Sequence, residues 1–213
     1  MSSDGLFAED ASHVTRRFGT FQILVTREGV DPAVPADMIV LTRGDVGDGE
    51  SVLCRIASAC VTSTALDSAE CECDLQIDAA LERIDDADCG VLIYLTDQEG
   101  RGHGLQTKVR ALANKNRGLD TFAAVEELGL DADARTFDAV PPILDAFDIR
   151  SILLLTGNPE KRDALVRAGV EVDRTEPLEV SPNSWTRRSM RAKQKRGHTV
   201  IGRYADDPLG AYP

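Results

Sequence analysis

The stretch Ile149-Arg150-Ser151-Ile152-Leu153-Leu154-Leu155-Thr156-Gly157-Asn158-Pro159-Glu160-Lys161 decides the fold. Its first part, residues 149–155, is a short apolar run of strand length. Chain-breaking residues follow, and Pro159 stands where a helix begins and its missing N–H costs nothing. A helix is predicted from there to Ala168, making a strand-turn-helix unit. Working outward, residues 137–147 and 105–116 read as helices, and Gly90 opens an apolar strand over 91–95. From Asp74, Leu75, Ile77, Ala80, Leu81 and Ile84 recur at helical spacing. Residues 18–26, 38–42 and 51–56 run or alternate apolar like strands. Helices alternating with strands after a β-rich N-terminal part predict an α/β fold, a mixed sheet covered by helices.

The chain has 213 residues, 42% of them hydrophobic, enough for a buried core. We read a flexible N-terminus over 1–17, one domain over 18–180, and a basic C-terminal tail over 181–213. The formal net charge of −12 argues against nucleic-acid polymers and anionic membranes as partners. A nucleotide would need a local cluster of cations. No apolar run has signal-peptide length or approaches the roughly 20 residues of a membrane span, so a cytoplasmic protein is expected. The tail carries Arg187, Arg188, Arg191, Lys193, Lys195 and Arg196; it reads as a solvated helix face or frayed end, with a phosphate or partner contact as the alternative.

Five cysteines are present, and in a reducing compartment metal binding or plain burial is expected over disulfides. Cys60, Cys71 and Cys73 form a C-x10-C-x-C pattern. Three thiolate ligands leave zinc a fourth position for water, the arrangement of a catalytic site, and zinc brings that water's pKa toward about 7. Packing in the core is an equal alternative from spacing alone. Thiols one residue apart point to opposite faces of a regular strand, so joint ligation needs irregular backbone between them. Cys54 and Cys89 lie in apolar contexts and are assigned to packing.

Four further segments accompany the cysteines: Glu99-Gly100-Arg101-Gly102-His103-Gly104-Leu105 with Lys108 and Arg110, Asp120-Thr121, Asp133-Ala134-Arg135, and Thr156-Gly157-Asn158-Pro159-Glu160-Lys161. Together they resemble GTP cyclohydrolase II over roughly residues 18–198. The resemblance implies that family's fold and a hydrolase opening the guanine ring of GTP at C8 with loss of pyrophosphate and formate. It implies one zinc per chain on Cys60, Cys71 and Cys73, and magnesium with the triphosphate. Asp133 falls on the family's proton acceptor and Arg135 on the group that attacks the α-phosphate. Arg55, Ser58, Gln76, Glu99, Gly100, Arg101, Thr121, Thr156 and Lys161 fall on nucleotide-binding positions. A homodimer is also implied.

The sequence departs from the family pattern around the same site. Arg-x-His-Ser-Glu-Cys reads Arg55-Ile56-Ala57-Ser58-Ala59-Cys60, and Thr-Gly-Asp reads Thr62-Ser63-Thr64. The Arg before the cysteine pair is Glu70, the Gly after it is Asp74, and the catalytic Tyr is Leu112. These changes keep two rivals in view. One is a related enzyme that stops at the formamidopyrimidine or takes another nucleobase compound; the other is a non-catalytic zinc-bound nucleotide sensor.

Overall fold

The computed structural model describes residues 5–200 except 28 and 182; the end of the basic tail lies outside the described residues. Seven strands form one sheet in the order β1 (Phe7–Val14), β2 (Thr20–Thr26), β3 (Ile39–Arg43), β5 (Gly90–Leu95), β4 (Val52–Ser58), β6 (Ser151–Leu155) and β7 (Glu171–Glu176). The first three run as an antiparallel meander, and β3 joins β5 antiparallel. From β5 through β4 and β6 to β7 all pairing is parallel. The expected mixed sheet with a β-rich N-terminal part is the observed fold.

Period-two alternation along the parallel strands sends side chains to two cores. Cys54, Ile56, Val91, Ile93, Ile152 and Leu154 face helix α5 (Val140–Asp145) and helix α6 (Pro159–Arg167). Leu92, Leu153 and Leu155 face helix α2 (Cys73–Ala87), which contributes Ala80, Leu81 and Ile84 at helical spacing. Among the described residues no helix is long and apolar enough to cross a membrane.

Three elements differ from the sequence expectation. Residues 7–14, expected in a flexible N-terminus, form the edge strand β1; only Phe7 in it is buried, so it shows no apolar alternation. Strand β7 escapes detection for the same reason, with Val172 its one buried side chain. The helix expected over 137–147 is shorter, beginning at Val140 with prolines in its first turn and followed by Asp148 in the left-handed region at φ 56°. The expected helices at 74, 105–116 and 159–168 appear as α2, α3 (Gly104–Asn116) and α6. A further helix, α7 (Arg187–Lys195), lies within the basic tail. Short α1 (Val61–Thr64) and α4 (Ala123–Glu126) complete the set.

Leu154 is fully buried in β6, whereas Val166 on α6 is 46% exposed. Leu154→Ala is expected to cost about 3 kcal/mol of unfolding free energy through lost burial and a residual cavity. Val166→Ala should change it by no more than about 0.5 kcal/mol. Urea unfolding checks both, and equal losses would contradict the two-core arrangement.

Candidate functional site

Parallel pairing puts the carboxyl ends of β4, β5 and β6 on one edge of the sheet. Ser58 ends β4 and Cys60 follows; Gln98 and Glu99 follow β5; Thr156 follows β6. Ligand crevices in α/β sheets form at this edge where the chain's winding reverses, here between β4 and β6. Of the site residues expected from sequence, all but Asp133 line one cavity there. Asp133 stands behind Arg135 as its ion-pair partner.

The Sγ atoms of Cys60, Cys71 and Cys73 all lie within 4.8 Å of one another. Cys60 and Cys71 sulfurs are 3.4 Å apart. Sulfurs bound tetrahedrally to one zinc at about 2.3 Å would lie about 3.8 Å apart, so the trio fits such an ion without large movement. Cys60 Sγ also accepts from Lys108 Nζ at 2.8 Å. Hydrogen bonds from Cys71 and Cys73, then from Lys108, hold the Cys60 thiol far below its ordinary pKa. Cys71 and Cys73 are raised, each first by its hydrogen bond with Cys60. The clustered sulfurs and the adjacent Lys108 ammonium favour negative charge at Cys60. Tyr94 Oη accepts from the Cys60 amide at 3.3 Å, fixing the backbone there.

Behind the thiols lie four cations. Arg55 donates to Leu155 O and to Gln76 Oε1, both at 2.7 Å, and its Nε is buried without a hydrogen-bond partner. Lys161 donates to Ile56 O at 2.7 Å. Burial lowers Arg55 to about 10 and, with Arg55 and Arg135 nearby, lowers Lys161 well below its ordinary value. Arg135 makes a two-pronged pair with Asp133, its Nε 2.8 Å from Oδ1, and Nη1 lies 3.5 Å from Ser58 Oγ. Burial opposes the charge on Arg135, yet Asp133 keeps its pKa raised; Asp133 is lowered in turn because Arg135 outweighs burial. Arg101 reaches Thr121 Oγ1 at 3.2 Å and Asp133 at 3.5 Å and stacks 4.2 Å from the Phe122 ring centre. Burial and then Arg135 lower it to about 10. A buried concentration of positive charge with an unused donor suits a polyanion.

The glycine-rich segment makes this cluster possible. Gly100 and Arg101 both adopt left-handed backbone, φ 61° and 62°, which for Arg101 is a conformation that side chains rarely accept. At Gly102 a Cβ would stand 2.7 Å from Ala134 O, so only glycine lets this segment lie against Asp133-Ala134-Arg135. Ala134 N donates to Arg101 O at 3.0 Å, closing that contact. Glu99 is held by Val61 N at 2.7 Å, Gly100 N at 3.0 Å and Lys108 Nζ at 2.8 Å. Thr156 Oγ1 accepts from Asn158 N at 3.1 Å and orients the turn into α6.

On the cavity's other wall the family pattern marked Lys108 and Leu112, but sequence reasoning passed over Lys115 and the tail. Helix α3 presents Lys108, Leu112 and Lys115 to it, spaced four and seven residues along one face. The tail, expected to be solvated, presents Ser189, Met190, Lys193 and His198. Thr186, Ser189 and Met190 are buried. Their spacing of three, four and seven residues from Thr186 to Lys193 is the amphipathic signal that would have marked this face as packed. The His198 ring meets Phe122 edge-on at 6.4 Å, and its buried Nε2 has no hydrogen-bond partner.

Comparison with known proteins agrees with this geometry. A family model described as GTP cyclohydrolase II matches residues 8–177. A GTP cyclohydrolase-2 of Hahella chejuensis (strain KCTC 2396) is 44% identical over 170 residues, 79% of this chain and 82% of that protein. One of Streptomyces coelicolor (strain ATCC BAA-471 / A3(2) / M145) is 42% identical over 160 residues, 75% of this chain and 72% of its own. The riboflavin biosynthesis protein RibBA of Nocardia farcinica (strain IFM 10152) is 42% identical over 165 residues, 77% of this chain but 40% of that longer protein.

Burial, then Lys193, Arg101 and Arg135, lower the His198 pKa to about 4. Unfolded, a histidine takes up its proton near pH 6.5. Between those values the unfolded chain binds a proton that the folded chain refuses, so stability falls as pH drops from about 6.5 to about 4. His198→Gln is expected to lessen that acid-side loss while leaving stability above pH 7 little changed. Superimposable stability–pH curves for the two proteins would contradict a buried neutral His198.

Proposed function

Since the chain belongs to the GTP cyclohydrolase II family, and so to the hydrolases, we propose that it binds one zinc through Cys60, Cys71 and Cys73 and opens the imidazole ring of GTP at C8, with release of pyrophosphate and formate. The observation that carries this reading is the convergence of three thiols and four cations, Arg55 and Lys161 buried and Arg101 and Arg135 partly so, on one cavity. Bound zinc would supply a Lewis acid that activates water at neutral pH.

The chain's own residues supply the rest. Arg55, Arg101 and Lys161 neutralise the triphosphate, which brings magnesium as its hard counter-ion. Glu99, fixed by three donors, keeps one lone pair on Oε2 for an N–H of guanine, and accepts both the N1 and N2 hydrogens by giving up one of those donors. Asp133 sets the plane of the Arg135 guanidinium by its two-pronged contact and is the nearest base for a proton leaving it. Arg135 then takes the α-phosphate as pyrophosphate departs, with Ser58 beside its Nη1. Ser58, Gln76, Gly100, Thr121 and Thr156 hold these groups or line the nucleotide's bed. By the same inference the working form is a cytoplasmic homodimer on a route such as riboflavin synthesis.

One observation favours a second reading, arrest at the formamidopyrimidine. Leu112 lines the cavity where the family pattern has Tyr, and Ala57 and Ala59 line it where the pattern has His and Glu. Ring opening and formamide hydrolysis each develop an oxyanion, and a missing donor costs about 3 kcal/mol, or a factor of 10²–10³ in rate. The second step must polarise a resonance-stabilised formamide and loses more.

Incubating the zinc-loaded protein with GTP and magnesium and weighing the products tests both readings. A ring-opened product with stoichiometric formate from the outset supports complete reaction; a persistent species one water heavier than GMP or GTP supports arrest. Bound GTP returned unchanged would favour the nucleotide sensor. Arg135→Ala is expected to abolish pyrophosphate release with metal content intact, and Cys60→Ser to lower zinc and turnover together. Full zinc retention in Cys60→Ser would remove that residue from the site.

A further inference from the structure

The segment carrying two of the three thiols has little regular structure of its own. Residues 69–72 lie between α1 and α2 in neither helix nor strand, yet Cys71 and Cys73 must turn their sulfurs to the same point. Distant donors hold this segment. Asn183 Nδ2, just before α7, donates to Ala69 O at 2.9 Å. Lys115 Nζ on α3 donates to Glu70 O at 2.8 Å. Between the two cysteines Glu72 is 1% exposed, and its carboxylate is paired with Lys193 of α7 and reached by Gln76 Nε2 at 3.3 Å.

Charge gives the pair its importance. Three thiolates and one divalent cation leave one negative charge, and Glu72 adds another beside it. Lys108, shared between Cys60 and Glu99, faces the first. Lys193 answers the other. A buried carboxylate that loses its partner is strongly disfavoured and relaxes by moving toward water, here carrying both neighbouring thiols with it.

The tail is also fastened at its far end. Thr199 N donates to Gly157 O at 2.8 Å, and a Cβ at Gly157 would stand 2.0 Å from Thr199 O. Gly157 has no left-handed φ to accommodate; the glycine is needed for room. Any side chain at this position would be excluded by the docked tail.

We propose that the C-terminal segment from Asn183 to Thr199 is part of the thiolate site, with Lys193 a positioning residue that fixes the Cys71-Glu72-Cys73 loop through Glu72. This rests on the reading of the three cysteines as a metal site, and its test does not depend on turnover. The full-length zinc-loaded protein is challenged with excess chromophoric chelator and the rate of zinc loss is measured. Lys193→Met is expected to lose zinc at least tenfold faster than the parent, and Lys193→Arg to stay within about threefold of it. Gly157→Asn, which alters neither the thiols nor Glu72 and Lys193, should speed loss severalfold by undocking the tail. Glu72→Gln combined with Lys193→Met should lose zinc no faster than Lys193→Met alone, because the charge has been removed from both sides. Parental rates in both Lys193→Met and Gly157→Asn would overturn the proposal. If the parent holds no metal, the reading of the cysteines fails, and the loop is followed instead by iodoacetamide labelling of Cys71 and Cys73. Tenfold faster labelling in Lys193→Met supports the positioning role, and an unchanged rate overturns it.

Discussion

Parallel hydrogen bonding of β4 to β5 on one side and β6 on the other is the constraint on which the site depends. It forces three strands to end together, so segments about forty and a hundred residues apart in sequence release their next residues into the same space. An antiparallel neighbour would send one of those ends to the opposite edge. β3 pairs with β5 in that way, and the following turn carries nothing to the cavity. The two cores on either face keep this edge rigid, so the groups beyond it inherit fixed positions from strands buried on both sides.

On that edge the molecule concentrates charge that its composition gives no hint of. A chain of net charge −12 gathers Arg55, Arg101, Arg135 and Lys161 on one cavity, where Asp133 pairs with Arg135 and Arg101. Burial lowers the affinity of Arg55, Arg101 and Lys161 for their protons, so these side chains are held with their charge only partly answered. Backbone carbonyls at Leu155 and Ile56 and the Phe122 ring supply part of the compensation. An anionic ligand supplies the remainder, and it meets donors already oriented. The acidic exterior then matters little to affinity, because the field inside the cleft is local.

What could be read from sequence followed from burial. Residues of β4, β5, β6 and α2 pack on one or two cores and carry apolar runs or helical spacing; β1 and β7 lie at the sheet's edges, largely exposed, and carry neither. The thiol spacing alone left core packing as an equal alternative, and the family resemblance, not the spacing, singled out the thiols and the glycine-rich segment as one site. Lys193 was not, because its partner Glu72 lies 121 residues away and a basic tail on an acidic protein looks solvated from composition alone. The face formed by Thr186, Ser189, Met190 and Lys193 was hidden by its polarity: three of its four residues are hydrophilic, though it is packed like an apolar one.

The departures from the family pattern look different once the contacts are known. Ser63 and Asp74 both stand where the pattern has Gly, and they bond to each other twice, Ser63 Oγ to Asp74 Oδ1 at 2.7 Å and Asp74 N to Ser63 Oγ at 3.1 Å. That exchange ties α1 to the first turn of α2, on either side of the thiol loop. Glu70, which reverses the charge of an Arg, lies 3.8 Å from Lys115, an ion pair that leaves its buried Oε2 without a hydrogen bond. Gly157 gives up a side chain where the tail needs space. Independent loss of constraint would not place a new donor opposite a new acceptor, nor leave a glycine where a backbone carbonyl stands 2.0 Å from the place of its Cβ. Ser63 and Asp74 are fitted to each other and Gly157 to the tail, whereas Ala57, Ala59 and Leu112 on the cavity wall subtract polar groups and gain no partner. Scaffold changes that are compensated, beside wall changes that are not, describe a framework that has been kept while the lining of its cavity was altered.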